Sequence, residues 1–508
     1  MSIYSKYFTE EHKMFRQGLR DFFAKEVTPY IEEWEENRRT PHEVWKKMGD
    51  MGYLGLNYPE KYGGMDADFF YSVIFMEEVS RLFSGGFAVA PLVMQYMSTP
   101  YIYKYGSEFL KEKYLAKTIA GEAVSCIAIT EPGAGSDVAN IQTKAIRDGD
   151  HYIVNGAKTF ITNAYYGDYL ITVVKTNPEA GVNGVSLLII DREAEGVSAR
   201  KLKKLGWHAS DTAELNFDDV KVPVKNLIGE EGQGFYYLMG GLQLERLSGA
   251  VSAIAGCESA LEYSLKYMGE RKAFGRSINK FQVLRHRVAQ MAAEIESVKA
   301  FTYHLCELHN NEQYAVKECS MSKLLATELS DKVMYQCLQF FGGYGYMEEY
   351  KMARLFRDSR ILTIGGGSSE IMREIIAKMV IDEKQYEAAK LAEAESAKAN
   401  GKDETASKGD EKFNKIYHII EKNATKARAI GNTLKFDLGG RQIHINGLGD
   451  ANSVAEMNED AQCTIAVTED DFLALLKGQL NPMTAMMSGK LKIDGDMGVA
   501  MKLQGLLS

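Results

Sequence analysis

Five short strings in this chain combine glycine with hydroxyl, cationic or carboxylate side chains, the mixture that a polar ligand needs. The first is Ile129-Thr130-Glu131-Pro132-Gly133-Ala134-Gly135-Ser136-Asp137, at the end of an apolar, β-branched run. Its glycines let main chain come close to a ligand, and its Thr and Ser can bond polar ring atoms or phosphates. It is not a GxGxxG opening a helix, so a Rossmann nucleotide site is not supported. The second, Gly156-Ala157-Lys158-Thr159-Phe160-Ile161-Thr162-Asn163, reads as a turn and a strand. The third, Glu270-Arg271-Lys272-Ala273-Phe274-Gly275-Arg276 ahead of Phe281-Gln282, reads by itself as a solvated cationic turn. The fourth is Gln339-Phe340-Phe341-Gly342-Gly343-Tyr344-Gly345-Tyr346. The fifth is Ile364-Gly365-Gly366-Gly367-Ser368-Ser369-Glu370-Ile371-Met372-Arg373.

The elements that must hold these strings follow from hydrophobic period. Residues 1–124 read as helical: Leu19, Phe22 and Phe23, then Trp34, Val44, Trp45 and Met48, recur at three- or four-residue steps. From about Ser125 the texture becomes short, β-branched and bounded by Gly, Pro or Asp, as in Val124–Thr130, Tyr169–Val174, Val185–Ile190 and Ala213–Phe217. Helix-length segments do not alternate with these runs, so they predict an antiparallel sheet domain rather than a βαβ unit. Helical period returns from Gly234 to about Ile381. The expected organisation is α+β and multidomain: an N-terminal helical domain (1–124), a β domain (125–233), a helical bundle (234–382), an Ala/Glu/Lys-rich linker (383–410) and a small α/β domain (411–508).

Length alone gives about three domains for 508 residues. A net charge of −9 argues against a generic nucleic-acid binder, without excluding a local basic pocket for a phosphorylated ligand. No apolar run spans a bilayer, and Met1 to Phe15 lacks the apolar core of a secretory signal. The six cysteines (126, 257, 306, 319, 337, 463) form no CxxC pair, so neither a metal site nor a disulfide framework is indicated. Reduced thiols in a cytoplasmic compartment are the expectation.

Taken together, the five strings resemble the acyl-CoA dehydrogenase family, in that family's order and spacing. Lys204–Pro223 (KLGWHASDTAELNFDDVKVP) resembles its β-domain exit, and the likeness covers about residues 1–382. The resemblance implies FAD held without a Rossmann motif. It places Thr130 and Thr162 on the flavin ring, Phe160 against its face, and Ser136 on flavin or thioester, with Ile127, Ile129, Gly135 and Ile161 beside them. It sends Arg271, Phe274, Gln282, Gln339, Gly342 and Gly343 to the FAD of a neighbouring subunit, and Ser368 and Glu370 to the adenylate side. A homo-oligomer, tetramer or dimer, would follow.

Desaturating an acyl thioester requires a carboxylate to take the α-proton while a β-hydride leaves for the flavin. In much of the family that Glu stands where this chain has Gly366. Isovaleryl- and long-chain acyl-CoA dehydrogenases carry the base earlier, in a Leu-Glu-Arg-Leu string, and Leu244-Glu245-Arg246-Leu247 resembles it. The resemblance therefore implies Glu245 as base. It also implies Tyr236, Gln243 and Arg246 on the substrate side, Arg246 near the CoA moiety, and Gly366 and Gly367 offering main chain to the thioester carbonyl. Electrons would pass to an electron-transfer flavoprotein. An acyl-CoA oxidase, and an inactive lipid or acyl-CoA binding protein, remain as alternatives.

The last hundred residues, with Asp471–Pro482 and Gly489–Gly498 as signature, resemble the sterol carrier or non-specific lipid-transfer family. That likeness implies a lipid or acyl chain held in an apolar cavity. Met483, Met486, Met487, Met497 and Met501 suit either such a lining or an ordinary core.

Overall fold

The computed structural model describes residues 3–381 and, further on, most of 413–476 together with 490–495. The chain divides into two compact units, Met1–Glu393 and Ala394–Ser508.

The first unit opens with helices α1 (Glu10–Glu26), α2 (Ile31–Asn37), α3 (His42–Asp50), α4 (Phe69–Ser80), α5 (Gly85–Leu92) and α6 (Thr99–Tyr105), then the short α7 (Glu108–Leu110) and α8 (Ala116–Ile119). Their starts carry the expected caps: Asp68 accepts from Phe70 N at 2.8 Å, and Ser84 accepts from Phe87 N at 3.1 Å. Between α5 and α6 the chain widens into a π turn, Val93–Ser98. There Ser98 Oγ reaches the Met94 carbonyl at 3.0 Å and Ser125 Oγ at 2.6 Å, tying α6 to the first strand.

Eight strands follow: β1 (Ser125–Ala128), β2 (Lys144–Asp148), β3 (His151–Thr162), β4 (Tyr169–Lys175), β5 (Val185–Asp191), β6 (Val197–Lys201), β7 (Thr212–Pro223) and β8 (Leu227–Ile228). The sheet runs β6-β7-β3-β2-β4-β5-β8, with β1 added beside β4. It is largely antiparallel, as its alternating texture predicts, but β1 pairs β4 in parallel and β2 meets β4 in parallel at Lys144. The β2–β3 hairpin between β1 and β4 is the crossover that makes the parallel pair possible. Along β4 and β5 one face (Ile171, Val173, Leu187, Ile189) packs with the N-terminal helices. The other (Leu170, Val174, Leu188, Ile190) packs with β3 and β7. Burial on both faces explains why these strands read as unbroken apolar runs.

A 37-residue helix, α9 (Gly234–Glu270), leads into the short hairpin β9 (Lys272–Ala273) and β10 (Arg276–Ser277). Then come α10 (Gln282–Asn310), α11 (Val316–Phe341), α12 (Lys351–Ser359) and α13 (Ser369–Val380). Helix α9 would measure about 55 Å, and packs along α11, α10 and α4.

In the second unit a five-stranded sheet runs β13 (Ser453–Ala455), β12 (Gln442–Asn446), β11 (Thr433–Asp437), β14 (Cys463–Val467), β15 (Leu491–Gly495). Its buried face carries Phe436, Ile443, Ile445 and Ile465, covered by Phe413, Ile416, Ile420 and Phe472. The linker 383–410 and Met483, Met486, Met487, Met497 and Met501 lie outside the described residues. All six cysteines are buried. Among the described residues no helix is long and apolar enough to cross a membrane, and no three ligating side chains converge on a metal-sized point.

Every described core cluster draws its members from a single unit. A chain ended at Glu393 is therefore expected to unfold in one cooperative urea transition. Its midpoint should match that of the first unit in the full chain. A broad, early transition would show that the second unit completes the first.

Candidate active site

The first string is held by a buried ion pair that its sequence does not announce. Glu131 accepts from Gln142 N and Thr143 N, at 2.5 and 2.9 Å, and from Lys158 Nζ at 2.8 Å. Lys158, fully buried, also donates to the Ile129 carbonyl at 3.0 Å. Burial pushes the ammonium down to about 8, against the pull of Glu131. Burial works on Glu131 in the opposite sense to Lys158 and its hydrogen bonds, and the latter prevail, holding the carboxyl below the usual range. The loop is thus clamped to β3, and Thr159 N adds a bond to the Thr130 carbonyl at 2.8 Å.

At this clamp β3 bulges. Lys158 stands opposite Leu215 and Ile161 opposite Ala213, so Thr159 and Phe160 share one partner position. Phe160 takes φ +62, unusual for an aromatic residue, and its ring is 69% exposed. The bulge turns the aromatic side chain outward, and Thr130 and Thr162 are both partly accessible. Gly135 and Ser136 are exposed on the same loop, and Ile127 and Ile129 are partly so. Ile161 is buried in the sheet core, so only its main chain is available to a ligand.

Glu245 lies three turns into α9. Its Oε1 accepts from the hydroxyl of Tyr101 on α6 at 2.8 Å. Protein surrounds the carboxyl while one edge stays partly accessible, and desolvation pushes it up to about 7 against the Tyr101 bond and the Arg246 charge. Its partner is a hydroxyl rather than a cation, unlike an ordinary helix-surface glutamate. The approach of Tyr101 requires Gly241: a methyl there would overlap the hydroxyl and lie 2.6 Å from the ring's Cζ. Gly240 similarly faces the Tyr105 hydroxyl, 3.0 Å from where its Cβ would stand.

Two expectations on this helix are corrected. Gln243 is buried, donating to His309 Nδ1 and the Gln313 carbonyl and accepting from Ala315 N. Its amide joins α9 to the α10–α11 connection and has nothing left for substrate. Arg246 is also buried and donates to Ser320 on α11 at 3.0 Å, so it braces the helix pair. Tyr236 is accessible and donates to Asn183 at 2.8 Å.

The fifth string forms a left-handed turn, Gly366 at φ +62 and Gly367 at φ +89. Lys323, buried on α11, donates to the Gly367 carbonyl at 2.6 Å and fixes the turn. A Cβ on Gly366 would meet open space. Ser368 caps α13 by accepting from Ile371 N, and Glu370 is exposed in that helix's first turn.

A separate cavity of about 430 Å³ gathers Arg271, Gln339, Gly342 and Gly343, four residues expected to act together. It adds Tyr267 and Tyr344, whose ring lies 5.5 Å from the Arg271 guanidinium. Phe274 does not line it. It sits with Gly275 on the β9–β10 turn, both at positive φ, and is 95% exposed. Gln282 opens α10, exposed and outside this lining.

A second cavity, about 120 Å³, runs along α9 from one turn beyond Glu245. Ser248, Gly249, Ser252, Ala253 and Gly256 form its floor. Ala88, Val89, Leu92, Met97 and Met334 give it apolar walls, and the hydroxyls of Ser80 and Ser330 interrupt them.

Comparison with known proteins agrees with this geometry. Three family models match in succession: the acyl-CoA dehydrogenase N-terminal domain (residues 9–122), middle domain (126–220) and C-terminal domain (232–381). The SCP-2 sterol transfer family matches residues 398–508. The rat mitochondrial long-chain specific acyl-CoA dehydrogenase is 41% identical over 382 residues, 74% of this chain and 88% of that protein. The caffeyl-CoA reductase-Etf complex subunit CarC of Acetobacterium woodii is 38% identical, over 74% of this chain and 99% of that subunit. An acyl-CoA dehydrogenase structure from Geobacillus kaustophilus superposes with a TM-score of 0.72 at 45% identity, covering 74% of this chain and 99% of that one. The chain belongs to the acyl-CoA dehydrogenase family of FAD-dependent oxidoreductases and carries an SCP-2 domain at its C-terminal end.

Lys158→Met should destabilise the first unit by about 3–5 kcal/mol, because Glu131 would stay buried without its cation. Urea unfolding of the variant measures this; a loss under about 1 kcal/mol would mean that the two main-chain donors suffice.

Proposed function

We propose that this chain desaturates a long-chain acyl-CoA between Cα and Cβ, with Glu245 taking the α-proton. The observation that carries the reading is a carboxyl near 7 at the Leu-Glu-Arg-Leu position, coupled with glycine at the alternative site, Gly366. A base is most effective when its pKa lies near working pH. The free main chain of the Gly366–Gly367 turn, fixed from behind by Lys323, is suited to bond the thioester carbonyl as negative charge grows there.

The residues present fit FAD. The outward ring of Phe160 offers a flat apolar face, and Thr130 and Thr162 are partly accessible hydroxyls for polar ring atoms. Arg271, with Gln339 and the two glycines, offers a cationic cradle open enough for main-chain approach to a diphosphate. FAD, when bound, is the acceptor of the hydrogen and electron pair leaving Cβ. An almost fully exposed phenylalanine at Phe274 beside this cradle supports a partner subunit of the same chain covering it. An electron-transfer flavoprotein as next acceptor is supported by the Etf-linked relative. The SCP-2 domain supports a second lipid or acyl-chain site on the same polypeptide.

Chain length is supported by the hollow face of α9. Positions 245, 248, 249, 252 and 256 share one side, and eleven residues of helix extend about 16 Å. The cavity beside these positions, about 120 Å³, takes only a few methylenes, so it marks the start of a path for the tail along the helix.

Substitution and pH dependence test these points. Glu245→Gln should retain FAD and acyl-CoA but reduce flavin roughly 10²–10⁴-fold more slowly in anaerobic stopped flow; near-normal bleaching would remove Glu245 as base. In the unaltered enzyme, reduction should rise with pH through about 7, since only the deprotonated carboxyl accepts the proton. Gly249, whose Cβ would meet nothing within 4 Å, provides the second test. Gly249→Leu should cut kcat/KM for long acyl-CoA by about tenfold or more while leaving short chains nearly unaffected. An equal loss for all lengths would place the tail elsewhere.

A further inference from the structure

Glu245 is reached from α6 by one hydroxyl, through a gap in the helix surface that only glycine leaves open. Tyr101 is buried, and its ring could not approach past any side chain at position 241. A glycine pair inside a long helix weakens that helix by about 1 kcal/mol per residue, so Gly240-Gly241 marks a required close approach. The other end of the contact is equally fixed. α6 begins at the π turn, where Thr99 Oγ bonds the Met94 carbonyl at 2.6 Å and the Tyr58 hydroxyl at 2.8 Å. Tyr101 is therefore delivered by a braced element, not by a mobile loop.

We infer that Tyr101 is a positioning residue for Glu245: its hydroxyl holds the carboxylate in one orientation and, through the slot at Gly241, sets the pH range in which the base works. The inference rests on the assignment of Glu245 as base. An O–H donated to a carboxylate stabilises the charged form, so it opposes the effect of burial and keeps more of the base ready near neutrality. The other charged or titratable groups around this point are accounted for. On α9, Arg246 is turned to Ser320 and also favours the charged carboxyl. On α11, Lys323 is engaged by the Gly367 carbonyl. On α10, His309 is bonded by Gln243 and pushed down to about 4 by burial, so it carries no charge at working pH. On α6, Tyr105 stacks on Tyr237 with ring centroids 3.9 Å apart, and Lys104 is exposed. Tyr101 is thus the neutral donor that bonds the base directly.

The test is the pH profile of anaerobic flavin reduction by palmitoyl-CoA, using the FAD-loaded full chain. Tyr101→Phe keeps the ring and removes the bond. Its acid limb should move up by about one pH unit, giving roughly tenfold slower reduction on the rising limb, with the high-pH plateau nearly kept. Gly241→Ala keeps the tyrosine but displaces it, and should move the limb in the same direction. The double variant should move it no further than the larger single shift, because both remove one contact. An unmoved limb in Tyr101→Phe, with FAD content intact, would overturn the inference; so would additive shifts. Glu245→Gln run alongside separates the two readings. If that variant still bleaches, the base assignment itself fails. If it is inert while Tyr101→Phe titrates like the parent, only the role of Tyr101 fails.

Discussion

A helix that must stay whole while leaving one of its faces nearly empty is the constraint on which this molecule depends. α9 spans 37 residues and carries Glu245, yet Gly240, Gly241, Gly249 and Gly256 interrupt it. Each glycine weakens a helix by about 1 kcal/mol relative to alanine. The loss is offset on the opposite side, where Leu247, Val251, Ile254 and Leu261 pack into buried clusters with α4, α10 and α11. Gln243 and Arg246 add bonds to the connections behind it. The same division of faces separates chemistry from support: the bare side meets Tyr101 and the cavity, and the crowded side keeps the helix in place.

The β domain solves a different problem, that of holding an aromatic ring in a conformation it would not choose. Phe160 stays at positive φ because the residues around it are over-determined. Lys158 is locked by two acceptors, Ile161 is in the core, and Thr159 is bonded to the Thr130 carbonyl. Strain of this kind persists only where neighbours enforce it. The buried ion pair has little to contribute to net stability, so its value lies in fixing the register of loop against strand.

Much of this was legible in the chain itself. The order of helices, strands and helices followed from period alone, and the glycine-rich strings fell on loops and at the ends of strands and helices. Contacts across the fold were not legible. Nothing in Leu244-Glu245-Arg246-Leu247 says that Glu245 meets a tyrosine 144 positions earlier. The glycine pair before it was a usable sign of close approach, but not of what approaches. The buried bonds of Gln243 and Arg246 were not legible either: residues one or two steps from Glu245 point to other faces of the helix. Lys158 looked like any strand lysine, since burial of a charge depends on a partner 27 positions away.

The six cysteines have a consequence of their own. All are buried, and desolvation raises the thiols of Cys126, Cys257, Cys306, Cys319 and Cys337 well above their ordinary range. Oxidants attack the thiolate, and susceptibility follows thiolate character and exposure. A reduced flavin that meets dioxygen releases peroxide, and this protein would stand nearest to the source. Those five thiols are held in the protonated, enclosed form that peroxide attacks most slowly.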